Sequence, residues 1–175
     1  AMIITEILAR NARMYGDEVA LTEREPANNR RVTITWKEFD DMANRVANAL
    51  IAKGIKKEDK VIHLMMNCIE WLPAYFGILR TGAWAVPLNF RFMAEDIRYC
   101  AEIAEARAII FGQEFVDRVN TIKGDLVTIK DYVFAGPVDM MPDYSENLEA
   151  FLKTGSTENP NVPIGLLDEA AFYES

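Results

Sequence analysis

The sequence has little of what most recognisable active sites are built from. It holds one histidine, His63, and two cysteines, Cys68 and Cys100, far apart and outside any CxxC arrangement, so neither a disulfide framework nor a zinc site is suggested. Its nine glycines are scattered without a GxGxxG. Gly77 and Gly82 have phosphate-loop spacing, but Ala83 and Trp84 stand where Lys and Ser or Thr are required. Basic residues are outnumbered, 19 to 27, and the net charge of −8 argues against a nucleic-acid partner or an anionic membrane surface. The densest basic cluster, Lys53 to Lys60 (KGIKKEDK), carries its own carboxylates and reads as a solvated loop. No apolar run is long enough for a membrane span, and the start lacks the basic, apolar and small-residue order of a signal peptide, so a cytoplasmic location is the default expectation. Ala1 before Met2 reads as a residue left by tag removal. There is no internal repeat and no low-complexity segment.

What is present is a globular composition: 50% hydrophobic residues, with nine Phe, three Trp and six Tyr, suffice for one core in 175 residues. The chain is organised around Asn67 to Phe92, NCIEWLPAYFGILRTGAWAVPLNFRF. Asn67 is the expected helix cap, with Glu70 as its capping-box partner. Trp71, Leu72, Tyr75, Phe76 and Leu79 recur at helical spacing, and Ala74, Gly77 and Ile78 make the opposite face apolar, so the helix must be covered on both sides. In that reading Pro73 falls beyond the first turn and should bend the helix. Gly82 supplies a left-handed stop, and Ala83 to Leu88 form a buried strand weakened by Pro87.

Around this unit, Thr5 to Tyr15 reads as an amphipathic helix, and Val19 to Thr22 and Arg31 to Ile34 as strands of a hairpin. Thr35 and Glu38 form a capping box for a helix ending near Gly54, and VIHLMM (Val61 to Met66) is a strand covered on both faces. Ile97 to Ala104 is a helix, Ala108 to Phe111 a strand, Phe115 to Ile122 a short helix and Leu126 to Ile129 a strand. Beyond Ala135 prolines break the pattern; Ser145 to Leu152 reads as a helix capped by Ser145, and Leu166 to Tyr173 as an apolar strand that stops at the last residue. Such alternation predicts an α/β layered fold, a mostly parallel sheet with flanking helices. The segments expected are 1–135 as an α/β core, 136–165 as irregular and 166–175 as a strand.

No residue is assigned a catalytic or metal-binding role. His63, inside an apolar strand with no nucleophile motif beside it, reads as a core residue. The acid pairs Asp40/Asp41, Glu58/Asp59 and Glu95/Asp96 read as solvated surface. Both cysteines read as small core residues.

The order of segments is more telling than any single motif. ILARNARMYGDEVALTE, TITWKEFDDMANRVANALIAKGIKKEDKVIHLMMN, NCIEWLPAYFGILRTGAWAVPLNFRF and DEAAFYES resemble, in order, four segments of the AMP-forming acyl-CoA synthetases, the family that also contains luciferases and the adenylation domains of peptide synthetases. The third is similar to a segment usually seen as Asn-x-x-Glu-Phe, a helix ending in Lys-Ala-Gly, then Val-Pro-Leu-Asn-Pro-Arg; the departures are Pro73 inside that helix, Phe90 for the proline before Arg91 and, in the second segment, Trp36 for the usual tyrosine. The fourth leads, in that family, into a glycine-rich phosphate-binding loop.

The resemblance implies part of the large N-terminal domain of that fold, with 166–175 leading toward the phosphate loop. It implies ligation of a fatty or related organic acid to CoA through an acyl-adenylate, using ATP, Mg²⁺ and CoA, with the phosphate-holding groups beyond Ser175. The 175-residue chain alone is then expected to be inactive and to bind none of these tightly, and its uncovered sheet edge to favour self-association. In some members the arginine of the Asn-Pro-Arg segment lies near the CoA phosphates, which makes Arg91 the candidate CoA contact. The competing reading of Arg91 is a surface arginine that caps or salt-bridges the helix starting near Met93. The competing reading of the whole is a stand-alone α/β binding or interaction module.

Overall fold

A computed structural model describes residues 3–25 and 30–164; the strand expected at Leu166 to Tyr173 lies outside them. The chain opens with helix α1 (Ile4–Met14), a two-stranded antiparallel hairpin of β1 (Val19–Glu25) and β2 (Arg30–Thr35), and helix α2 (Trp36–Ala52). The hairpin and both helices stand where the sequence places them, with the strands longer by pairing out to Glu25 opposite Arg30. The capping box of α2 forms: Thr35 Oγ1 accepts from the Glu38 amide at 3.2 Å, and Glu38 Oε1 accepts from the Thr35 amide at 2.9 Å.

From there strand and helix alternate: β3 (Lys60–Leu64), α3 (Trp71–Arg80), β4 (Trp84–Pro87), α4 (Ala94–Ala104), β5 (Ala108–Gly112), α5 (Val116–Ile122), β6 (Asp131–Ala135), β7 (Glu146–Asn147) and α6 (Leu148–Thr154). The five strands β3 to β7 form one parallel sheet in the order β4-β3-β5-β6-β7. Alternation along each strand divides the core. Ile62, Leu64, Ile109, Phe111 and Phe134 face α4 and α5, while Val61, Met65, Ile110 and Val133 face α2, α3 and α6. A third cluster, around Leu8, Ile34, Phe39 and Ile69, ties α1 and the hairpin to α2 and α3. Gly77 is where α3 meets α2 most closely: a β-carbon there would lie 2.5 Å from the Val46 side chain. Gly82 carries φ +85° between α3 and β4, as the left-handed stop requires.

Four expectations change. Asn67 does not cap α3; the helix begins at Trp71 with Glu70 in the cap position and no side-chain bond there. The reason is Ile69, buried in the third cluster with its amide donating to Glu23 Oε1 at 3.1 Å, which holds residues 67–70 in a turn. Pro73 therefore sits in the first turn of α3, where its missing N–H would have had no helical partner, and no bend is needed. Leu126 and Ile129 are core plugs in a non-strand connection, and the strand is DYVFA (Asp131–Ala135), whose Val133 and Phe134 point to opposite core layers. Ser145 caps no helix: its hydroxyl donates to the Pro142 carbonyl at 2.7 Å, and Asn147 caps α6, its Oδ1 accepting from the Glu149 amide at 2.7 Å.

Candidate functional site

In an open α/β sheet the crevice lies at the carboxyl ends of two strands whose outgoing connections part to opposite faces. Here that point falls between β3 and β5: the chain leaves β3 through α3 to β4 on one side, then crosses back through α4, on the other face, to β5. A cleft of about 490 Å³ lies there, walled by Met65 to Cys68 after β3, Gly112 to Glu114 at the end of β5, Ala135 and Gly136 at the end of β6, and the start of α6.

The cleft is acidic. Glu23, Glu70, Glu114 and Glu149 line it, and among the described residues no lysine or arginine does. Burial, reinforced by the Glu70 carboxylate, pushes the Cys68 thiol up to about 12, so at neutral pH it is a protonated thiol rather than a nucleophile. Gln113 Oε1 is buried on the wall without a donor among the described residues. The described residues contain no group of three metal-ligating side chains, and no helix among them is long and apolar enough to cross a membrane.

Arg91 stands apart from this cleft, at the exit of β4 on the same carboxyl edge of the sheet. It is exposed and follows Asn89 in a tight turn: the Arg91 amide donates to Asn89 Oδ1 at 2.8 Å, and the Phe92 amide to the Asn89 carbonyl at 3.0 Å. Its guanidinium lies over the Phe90 ring, 5.2 Å from the centroid, and forms no ion pair among the described residues. The capping of α4 is done by Asp96, whose Oδ2 accepts from the Met93 amide at 3.0 Å, and Arg98 is the arginine that pairs on that helix, with Glu95 and Glu102. Arg118 of α5 reaches the same turn from below, donating to the carbonyls of Phe90 and Phe92.

His63 is a core residue, as expected, 1% exposed under Trp71 with ring centroids 4.3 Å apart. Its Nε2 lies 3.0 Å from the Trp71 carbonyl, which can only accept, so Nε2 carries the proton and buried Nδ1 is bare. Burial lowers its pKa to about 4.

One charged group escaped the sequence reading. Arg80, 2% exposed at the end of α3, donates to Asp40 Oδ1 at 2.7 Å, Asn44 Oδ1 at 2.8 Å and the carbonyls of Asp40 and Thr5. Asp40 is therefore a partner of a buried cation, not a solvated surface acid. An arginine closing an otherwise apolar helix was the available signal.

Comparison with known proteins places this geometry. Residues 8–164 match the AMP-binding enzyme family, and the chain belongs to that family. It is 39% identical over 94 residues to a 3-hydroxybenzoate–CoA/4-hydroxybenzoate–CoA ligase of Thauera aromatica, a stretch covering 54% of this chain and 18% of that protein. It is 35% identical over 92 residues to a medium/long-chain-fatty-acid–CoA/3-oxocholest-4-en-26-oate–CoA ligase of Mycobacterium tuberculosis, covering 53% of this chain and 17% of that one. Among solved structures it is similar to a fatty acyl-CoA synthetase of Mycobacterium tuberculosis, with TM-score 0.82, 26% identity, and coverage of 98% of this chain and 32% of the other. It is also similar to the anthranilate CoA ligase AuaEII in complex with anthranoyl-AMP, with TM-score 0.81, 25% identity, and coverage of 90% and 29%. The matched stretches are thus a third or less of each of these proteins.

Proposed function

We propose that the whole protein is an ATP-dependent, AMP-forming carboxylate–CoA ligase. In the first step the acid's carboxylate oxygen attacks the α-phosphorus of ATP and pyrophosphate leaves; in the second the CoA thiol displaces AMP from the acyl-adenylate. The family match over residues 8–164 carries this reading, and the CoA ligase relatives support it. A fatty or related acid, aromatic acids included, is the proposed substrate class.

The described residues fit some of the groups this chemistry uses and not others. Four glutamates on the cleft wall, with no cation there among the described residues, would repel a triphosphate, and there is no metal-ligating cluster among the described residues. ATP phosphates and Mg²⁺ are therefore assigned to other parts of the protein, where oriented amides and cations can neutralise them. Arg91 does fit an anion: it is exposed, has no carboxylate partner among the described residues, and carries a planar fork suited to phosphate oxygens. It is assigned to the CoA phosphates. The 175-residue chain alone is expected to turn over no ATP.

The test is an assay of the full-length protein with ATP, Mg²⁺, CoA and a panel of fatty and hydroxybenzoic acids. AMP and pyrophosphate should appear in equal amounts and only when an acid is present. Formation of ADP, or AMP release without an acid, would overturn the reading.

A further inference from the structure

We infer that Arg118 is a positioning residue for Arg91; the inference rests on the assignment of Arg91 to the CoA phosphates. One nitrogen of Arg118, Nη1, donates to the Phe90 carbonyl at 2.7 Å and to the Phe92 carbonyl at 3.1 Å. Those two carbonyls bracket Arg91. The first belongs to the peptide that enters Arg91, the second to the residue that follows it. Arg118 is itself anchored from beneath, its guanidinium 5.1 Å from the centroid of Phe115, a ring 1% exposed in the core beside α4 and α5. The core thus reaches the turn in two ways, through the half-buried Phe92 ring packed against it and through the charged side chain of Arg118.

Within the turn itself the Arg91 and Phe92 amides bond to Asn89 and the Met93 amide bonds to Asp96. Above Phe90, the Arg91 side chain projects into solvent. An exposed loop pays an ordering cost when it engages a ligand, and a fork that must meet a phosphate squarely is sensitive to the direction in which its backbone launches it. Charge-assisted bonds to both flanking carbonyls reduce that cost before CoA arrives. Lysine could reproduce the clamp, because both carbonyls are reached from one nitrogen. Alanine could not.

The experiment is steady-state kinetics of the full-length protein with CoA, ATP and acid varied in turn. Arg91→Ala should raise the KM for CoA by roughly tenfold, the loss of one phosphate contact. Arg118→Ala should raise it about threefold to fivefold through the weakened backbone bonds, leaving the KM for ATP unmoved. Arg118→Lys should restore most of the loss, and the double alanine variant should be no worse than Arg91→Ala alone. A variant that folds poorly loses active enzyme and hence kcat, which leaves the CoA KM as the diagnostic. Faster amide exchange at Arg91, Phe92 and Met93 in Arg118→Ala would support the clamp independently.

If Arg91→Ala raises the CoA KM and Arg118→Ala does not, the positioning role is overturned while the Arg91 assignment stands. If the two effects multiply in the double variant, Arg118 acts on CoA directly and the inference is wrong. If Arg91→Ala changes nothing, the Arg91 assignment fails and takes the inference with it.

Discussion

Arg80 and Asp40 hold three helices together through one buried charge. The guanidinium is 2% exposed, whereas the Asp40 side chain is 20% exposed, so the two deletions are not equivalent. Asp40→Ala leaves a buried cation with only neutral acceptors and should cost about 3 kcal/mol, measured by urea unfolding. Arg80→Met leaves an acid that water can reach and should cost less. His63 makes a pH prediction. Burial lowers its folded pKa from 6.5 to about 4, so between those values the unfolded chain binds a proton that the folded chain refuses. Stability from this group is complete above about pH 6.5 and is lost as pH falls to 4; the difference is about 3 kcal/mol by linkage. His63→Gln should flatten that part of the stability profile relative to the parent, and an unchanged slope would contradict the burial argument. The burial of His63 was legible, because VIHLMM admits only a core position. The role of Asp40 was not, since nothing local separates it from Asp41 and its partner lies 40 residues away in sequence.

At the scale of elements, local chemistry was read best where it is self-contained. The Thr35–Glu38 box lies within four residues, and Thr35→Ala should cost about 1 kcal/mol of stability. Gly77 shows the opposite case. Sequence marks it only as part of an apolar face, yet packing makes it the contact with Val46. Gly77→Ala should cost about 1–3 kcal/mol by overpacking, read as a lower urea midpoint at unchanged slope. The misplaced elements share a cause: a tertiary contact overrode a plausible local pattern. Ile69 goes into the third cluster and pulls the start of α3 past Asn67; Leu126 and Ile129 fill the core beside α4 and α5 without pairing as a strand. Leu126 and Ile129 read as a strand and pack in the core in a different backbone state, whereas Ile69 carries no expectation from the sequence.

Across the whole molecule, alternating strands and helices with short connections made the parallel sheet legible, and the ordered segments made the family resemblance legible. The candidate cleft was not, because Met65, Gly112 and Ala135 meet only once the strand order places β3, β5 and β6 side by side. Arg91 was singled out by resemblance alone; its turn, and the Arg118 clamp beneath it, needed the fold. The measurement that tests the central claim most directly is exchange of labelled pyrophosphate into ATP by the full-length protein, with Mg²⁺ and acid but no CoA. An AMP-forming ligase makes its acyl-adenylate reversibly before CoA is involved. Exchange should therefore appear with a cognate fatty or aromatic acid, vanish without one, and persist in Arg91→Ala. Absence of exchange across the acid panel, with the protein folded and ATP present, would contradict the adenylate-forming account.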